Sequence, residues 1–196
     1  DIDEAGITTF CTGTTCTIQT WYDQSQTGGT GVGNDATQTS GPSQPTIYTG
    51  GAIVKDNGKV AVQFDGVSNK ILSPDLGLAS TDFCITATCK ISGSQDTLYS
   101  LGYSYPTNGM LYRTQNSGTN TIMFFDGPSE TSVSTTLNAS SQTVHFLNFN
   151  GGSFDVYGNG ANTASATSVY ALGDDILHIG VNSGNNSYFL SGTLQE

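Results

Sequence analysis

The stretch TVHFLNFNGGSFDVYG, residues 143–158, decides the fold. Two runs of alternating apolar and polar residues, 143–149 and 153–158, flank Asn150-Gly151-Gly152. Alternation with period two is the signature of a half-buried strand, and an Asn-Gly pair between two such runs reads as a hairpin turn. The same pattern recurs outward in both directions. FCITATCKI (83–91) places Phe83, Ile85, Ala87, Cys89 and Ile91 on one face. TIQTWYD (17–23), VAVQFDG (60–66), TLYSLG (97–102), MLYRT (110–114), TIMFF (121–125), ILHIG (176–180) and YFLSGTL (188–194) are further strand candidates. Gly, Asn, Ser and Pro clusters separate them, which is turn chemistry. No long helical periodicity occurs, and short turns are expected only at Ile7–Phe10 and Pro74–Ala79. Strands at this spacing predict an all-β fold, a two-sheet antiparallel jelly-roll β-sandwich.

The chain has 196 residues, which predicts one domain over 1–196, read as a segment of a larger protein. Five Lys and Arg stand against 16 Asp and Glu, a net charge of −11. Phosphate backbones need clustered cations, so nucleic acid is not an expected partner. No stretch approaches the length of an apolar membrane span, so membrane insertion is not expected either. A neutral glycan is the easiest ligand for such a surface to accept. Only 11% of residues are charged, and Ser, Thr, Asn and Gly fill the surface instead, which suits an extracellular or surface-exposed protein. The sequons at Asn138 and Asn185 would take glycans in a eukaryotic host.

Four cysteines allow three pairings. Cys11 and Cys16 enclose Thr-Gly-Thr-Thr and are expected to form a local disulfide. Cys84 and Cys89 lie an odd number of residues apart, which points them to opposite faces of a strand. They read as separate thiols, with Cys89 as a buried filler. The span Gly28–Gln44 is poor in apolar residues and reads as one long surface loop. Trp21 and Tyr22 should alternate across their strand, one ring buried, with Asp23 and Ser25 bonding backbone amides at the loop exit. The final strand reads as cut short, which leaves its edge either unpaired or completed by residues beyond this stretch.

WYDQS (21–25), GNDATQ (33–38), QPTI (44–47), DNGKVAVQFDG (56–66), ILHIG (176–180) and FLSGTLQE (189–196) together resemble the concanavalin A-like, laminin-G-like jelly rolls of secreted proteins. The common form of the first motif is WYDQSGNGNDATQ; here the loop after Ser25 is expanded. TTFCTGTTCTIQTWYDQS (8–25) resembles most closely the opening of family-54 glycoside hydrolase catalytic domains, the α-L-arabinofuranosidases. That resemblance implies a nucleophilic Glu on a central strand and an acid/base Asp after the "IG" strand. The matching positions here are Gln115 and Asn182, both amides. An amide neither forms a glycosyl ester nor donates an acidic proton, so the two-carboxyl mechanism is not expected to operate. Asp126 and Glu130 are the carboxylates that a shifted register would bring in.

Amides and aromatic rings still hold sugars: each amide offers a donor and an acceptor, and rings pack on sugar C–H faces. Tyr103, Tyr105, Tyr112, Gln115, Asn182, Asn185, Asn186 and Tyr188 are expected on the concave face or its rim. No cofactor is required. Related sandwiches often place a calcium ion at the rim, and the resemblance leaves room for one here, with Asp65, Asp174 and Asp175 as candidate ligands. His145 and His178 sit within strand patterns and read as structural. The expected function is a non-catalytic glycan-binding or adhesion module that takes a cell-surface polysaccharide. Its rivals are an arabinofuranosidase-like hydrolase and a structural or host-recognition domain of a cell-surface or phage-fibre assembly, packed against neighbouring chains.

Overall fold

The computed structural model describes residues 2–24, 33–78, 82–104, 108–114, 120–126, 129–135, 141–167, 175–184 and 186–195. One helix, α1 (Glu4–Cys11), precedes the strands. These are β1 (Cys16–Thr17), β2 (Thr20–Trp21), β3 (Ala36–Thr37), β4 (Thr46–Thr49), β5 (Ala52–Ile53), β6 (Lys55–Asp56), β7 (Lys59–Val60), β8 (Val62–Asp65), β9 (Ile71–Asp75) and β10 (Asp82–Ile91). There follow β11 (Thr97–Ser104), β12 (Asn108–Thr114), β13 (Asn120–Asp126), β14 (Ser129–Thr135), β15 (Thr143–Asn150), β16 (Ser153–Gly158), β17 (Ala161–Thr167), β18 (Ile176–Ile179) and β19 (Ser191–Gln195).

They form two antiparallel sheets. The first runs β1-β4-β8-β19-β10-β15-β16-β17, with β5 beside β4; the second runs β14-β13-β12-β11-β18-β9-β3-β2. The β6–β7 hairpin stands apart. The inward faces meet in one apolar core. Val62, Phe64, Ile91, Leu147, Phe154 and Leu194 come from the first sheet; Leu98, Leu101 and Met110 come from the second. In β10 the inward set is the one the alternation predicts, and Cys89 is a buried free thiol whose pKa burial pushes up to about 12. At the hairpin, Asn150 pairs with Ser153, and Gly151 and Gly152 both take positive φ. That is the primed turn geometry whose twist matches the strands.

His145 ties the sheets together. Its Nε2 lies 2.7 Å from the Tyr99 hydroxyl across the core. Its ring packs 4.3 Å from the centre of Tyr112. The imidazole is fully buried, and desolvation pushes its pKa down to about 4. It is a neutral structural residue, as its strand position suggests.

Several expectations change. The run 17–23 is two short strands in different sheets, because Cys16 pairs with Tyr48 while Trp21 pairs with Ala36. The turn at Ile7–Phe10 is part of a two-turn helix, capped by Asp3 Oδ1 accepting from Gly6 N at 2.9 Å. Eight residues are too few to show a helical period. Pro74 lies in β9, beside an irregularity in the pairing with β18 between Ile176 and His178, the kind of place where a strand tolerates a residue with no N–H; Ala79, at the other end of that expected turn, lies outside the described residues. The span 28–44 contains β3 and a 3-10 turn at Gly41–Ser43, so it is not one loop. The last strand has no free edge: β19 lies between β8 and β10.

Candidate functional site

The site grows from Gly180, at the end of β18. Its φ is +83°, and a Cβ there would stand 2.6 Å from the Phe64 ring. Only glycine fits such a position. Gly180 N donates to Leu98 O, and Leu190 N donates to Gly180 O, each at 2.9 Å. These two bonds close a loop over the end of the second sheet.

Within the loop, Asn182 N donates to Ser187 O at 3.0 Å, and Asn182 Oδ1 accepts from Gly184 N at 2.9 Å. Asn182 is 3% exposed. Its amide shapes the turn, which is the ordinary local use of an Asn side chain. Ser100, buried in β11, anchors the loop from below: its hydroxyl donates to Val181 O at 3.0 Å and accepts from Ser183 N at 3.2 Å.

The outer part of the turn is strained. Asn186 and Tyr188 have φ of +49° and +55°. Asn tolerates the left-handed region, whereas a bulky aromatic there is an outlier that costs about 1–3 kcal/mol. Three contacts hold Tyr188. Thr97 N donates to its carbonyl at 2.9 Å. The Arg113 guanidinium lies 5.5 Å from its ring centre. The flanking chain is pinned by the Leu190–Gly180 bond. The ring stays 38% exposed. Lys70, just before β9, donates to Asn186 Oδ1 at 2.6 Å.

Asp96 supports this assembly from beneath. Its Oδ2 accepts from Gly93 N at 3.1 Å and Ser191 N at 2.8 Å, while its own N–H donates to Thr114 Oγ1 at 2.9 Å. Burial pushes its pKa up, against the lowering effect of the two amides. Asp96 thereby joins the β10–β11 loop, β12 and β19 directly under Tyr188.

The expected site residues part company. Asn182 and Tyr188 share the loop, together with Asn186. Tyr112 does not join them: it is 1% exposed in the core, because its position in β12 faces His145 and the first sheet. Tyr103 lies in β11, and its side chain lies outside the described residues, as do Tyr105, Gln115, Asn185 and Asp174. Asp126 ends β13, and Glu130 stands opposite Phe125 in β14. Asp65 makes a turn: its Oδ1 accepts from the amides of Val67, Ser68 and Asn69 at 2.9–3.0 Å. Burial raises its pKa, but these amides and the Ser68 hydroxyl outweigh that and leave it lowered. Asp175 accepts from Leu76 N at its carbonyl. No group of three His, Cys, Asp or Glu able to hold a metal occurs among the described residues. Cys11 and Cys16 form the expected disulfide, and Cys84 and Cys89 are free. In the opening motif Trp21 is half-buried against the core and Tyr22 is 66% exposed. The amide of Asp23 is held by Asp35 Oδ1 at 2.8 Å; Ser25 lies outside the described residues.

Sequence reasoning missed Arg113, Lys70 and Asp96. One signal was available: Arg113 is the only arginine.

No protein-family model and no curated protein sequence matches the chain. Solved structures do. A mutant family-54 α-L-arabinofuranosidase soaked with 4-nitrophenyl α-L-arabinofuranoside superimposes with a TM-score of 0.68 at 16% identity, over 98% of this chain and 49% of that one. Domains LG4-5 of the mouse laminin alpha1 chain superimpose with a TM-score of 0.58 at 17% identity, over 74% of this chain and 43% of that one. The LG1-3 region of the laminin alpha2 chain gives 0.51 at 15% identity, over 75% of this chain and 34% of that one. The chain spans at most about half the length of these proteins. The architecture is the concanavalin A-like, laminin-G-like β-sandwich, with structural similarity to the arabinofuranosidase family.

Proposed function

We propose that the protein is a carbohydrate-binding module that holds a glycan at the 180–190 loop and does not cleave it. The observation that carries this reading is Tyr188. A bulky ring is kept in a costly backbone conformation, backed by a cation and left open to solvent. Strain held at an exposed ring suits a ligand platform better than a packing role. Sugar rings pack their C–H faces on such aromatic surfaces. Asn186 supplies an amide at its edge. Asn182 stands where the arabinofuranosidase resemblance implies an acid, and an amide donates no acidic proton.

We also propose that it works outside the cell, on a cell-surface polysaccharide. The Cys11–Cys16 disulfide supports an oxidising compartment. No helix among the described residues is long and apolar enough to cross a membrane.

A glycan array followed by calorimetric titration tests the reading. Tyr188→Ala should weaken the best glycan about tenfold, the equivalent of about 1.4 kcal/mol. An array with no bound glycan, or undiminished binding by Tyr188→Ala, overturns it. Hydrolysis of 4-nitrophenyl α-L-arabinofuranoside would replace it with the hydrolase reading. Binding should be the same in calcium and in EDTA, since no cofactor is invoked.

A further inference from the structure

This inference rests on the glycan-binding reading and names the class of glycan. The protein has one arginine and four lysines against 16 acidic residues. A guanidinium in such a chain has many carboxylates to choose from. Arg113 takes none among the described residues, where the one ion pair joins Lys55 to Glu4. Its Nε is buried and meets no acceptor there. A buried N–H left without an acceptor costs about 1–3 kcal/mol, and native proteins keep few of them. Nε itself is out of reach of solvent, but the Arg113 side chain is only half-buried, so a partner from outside the chain meets the guanidinium at its terminal N–H groups. The carboxylate nearest in sequence register is Asp96, beside Thr97, which pairs with Arg113. Its Oδ2 is already held by the amides of Gly93 and Ser191.

Lys70 repeats the pattern at the other side of the loop. Its ammonium meets the neutral Asn186 amide oxygen. Between Lys70 and Arg113 the sheet order is β9-β18-β11-β12. Three strand spacings put the backbones of the two residues about 14 Å apart. The 180–190 loop, with Tyr188, lies between them. Two cations with no acidic partner among the described residues therefore flank an exposed ring, on a chain whose net charge is −11.

We propose that this site takes an acidic glycan, with the carboxylate of a hexuronate residue on the Arg113 fork and its sugar ring against Tyr188. A guanidinium presents parallel N–H groups that match the two oxygens of a carboxylate. A neutral sugar offers no such pair. The next acidic unit of the chain extends toward Lys70. The overall negative charge does not prevent this, because at physiological salt exposed charges are screened beyond about 8 Å and the local cations dominate.

The test uses trimers of galacturonate, glucuronate and mannuronate, each beside its carboxyl-reduced form, titrated into the protein in EDTA at physiological salt. At least one acidic trimer should bind tenfold or more tightly than its reduced partner. Arg113→Lys keeps the charge but loses the fork, and should abolish most of that preference. Lys70→Gln should lose part of it. Both variants should melt within a few degrees of the wild type, since each gives up only a solvent-exposed contact, Arg113 to the Tyr188 ring and Lys70 to Asn186 Oδ1. Equal binding of acidic and reduced trimers, or an undiminished preference in Arg113→Lys, overturns the inference and leaves a neutral-glycan module standing. If no trimer binds while array glycans still depend on Tyr188, the acidic inference fails alone. If nothing binds at all, both readings fail.

Discussion

Tyr188 pays for its position with backbone strain, so its stability and binding effects should separate. Asn adopts the left-handed region far more readily than Tyr. Tyr188→Asn should therefore keep or raise the melting temperature while weakening glycan binding at least tenfold. A residue selected for packing would behave the other way, losing stability first. The cation–π contact with Arg113 is worth about 0.5–1 kcal/mol at an exposed site, less than the strain relieved. A melt that falls by several degrees in Tyr188→Asn, with binding intact, would make the ring a structural brace. The candidate residues were only partly legible at this scale. Asn182 and Tyr188 do share one turn, as a polar stretch with an aromatic suggests, but the Asn182 side chain is buried and shapes the turn instead of facing solvent. Tyr112 was misplaced, since an aromatic in an alternating strand can face either side, and the sequence alone does not say which. The role of Arg113 depends on a neighbour 75 positions away.

Among the elements, Asp96 is the pin that holds the β10–β11 loop, β12 and β19 under the site. Both backbone donors go to the same oxygen, Oδ2. An asparagine can keep that oxygen in place, and it removes the cost of burying a charge. Asp96→Asn should therefore leave stability at neutral pH unchanged or slightly higher. Asp96→Ala leaves two amides without an acceptor and should cost about 2–3 kcal/mol, read by urea denaturation. A loss of the same size in both variants would show that the charge itself is needed. The elements were largely legible: β10, β15 and β16 follow directly from Phe83–Ile91 and from Asn150-Gly151-Gly152. Their partners were not. YFLSGTL reads as a strand cut short at its end, with an edge to be filled, yet β19 sits between β8 and β10. Sheet neighbours are chosen by long-range packing, which local alternation does not encode. Strand limits also moved where backbone strain intervened, as at Tyr188, whose left-handed φ delays β19 to Ser191.

Across the whole molecule, the two sheets meet through apolar surface, and His145 and Tyr99 add a polar contact between them inside the core. That contact makes stability depend on pH. The folded imidazole titrates at about 4 because it is buried. In the unfolded chain it titrates near 6.5. A depressed folded value means that the unfolded state binds the extra proton first. The stabilisation is thus complete above about pH 6.5 and is lost as pH falls toward 4, a total of about 3 kcal/mol. Asp65, whose pKa is lowered, loses its contribution in the same direction but below the ordinary carboxylate range. Asp96, whose pKa is raised, works the opposite way and favours the fold as pH falls. His145→Gln isolates the imidazole, because the amide can still bond the Tyr99 hydroxyl but does not titrate. Wild-type stability measured by urea denaturation should drop between pH 7 and pH 4.5, and His145→Gln should flatten most of that drop. An identical pH profile in the two proteins would mean that the carboxylates, not the inter-sheet histidine, set the acid limit of the sandwich.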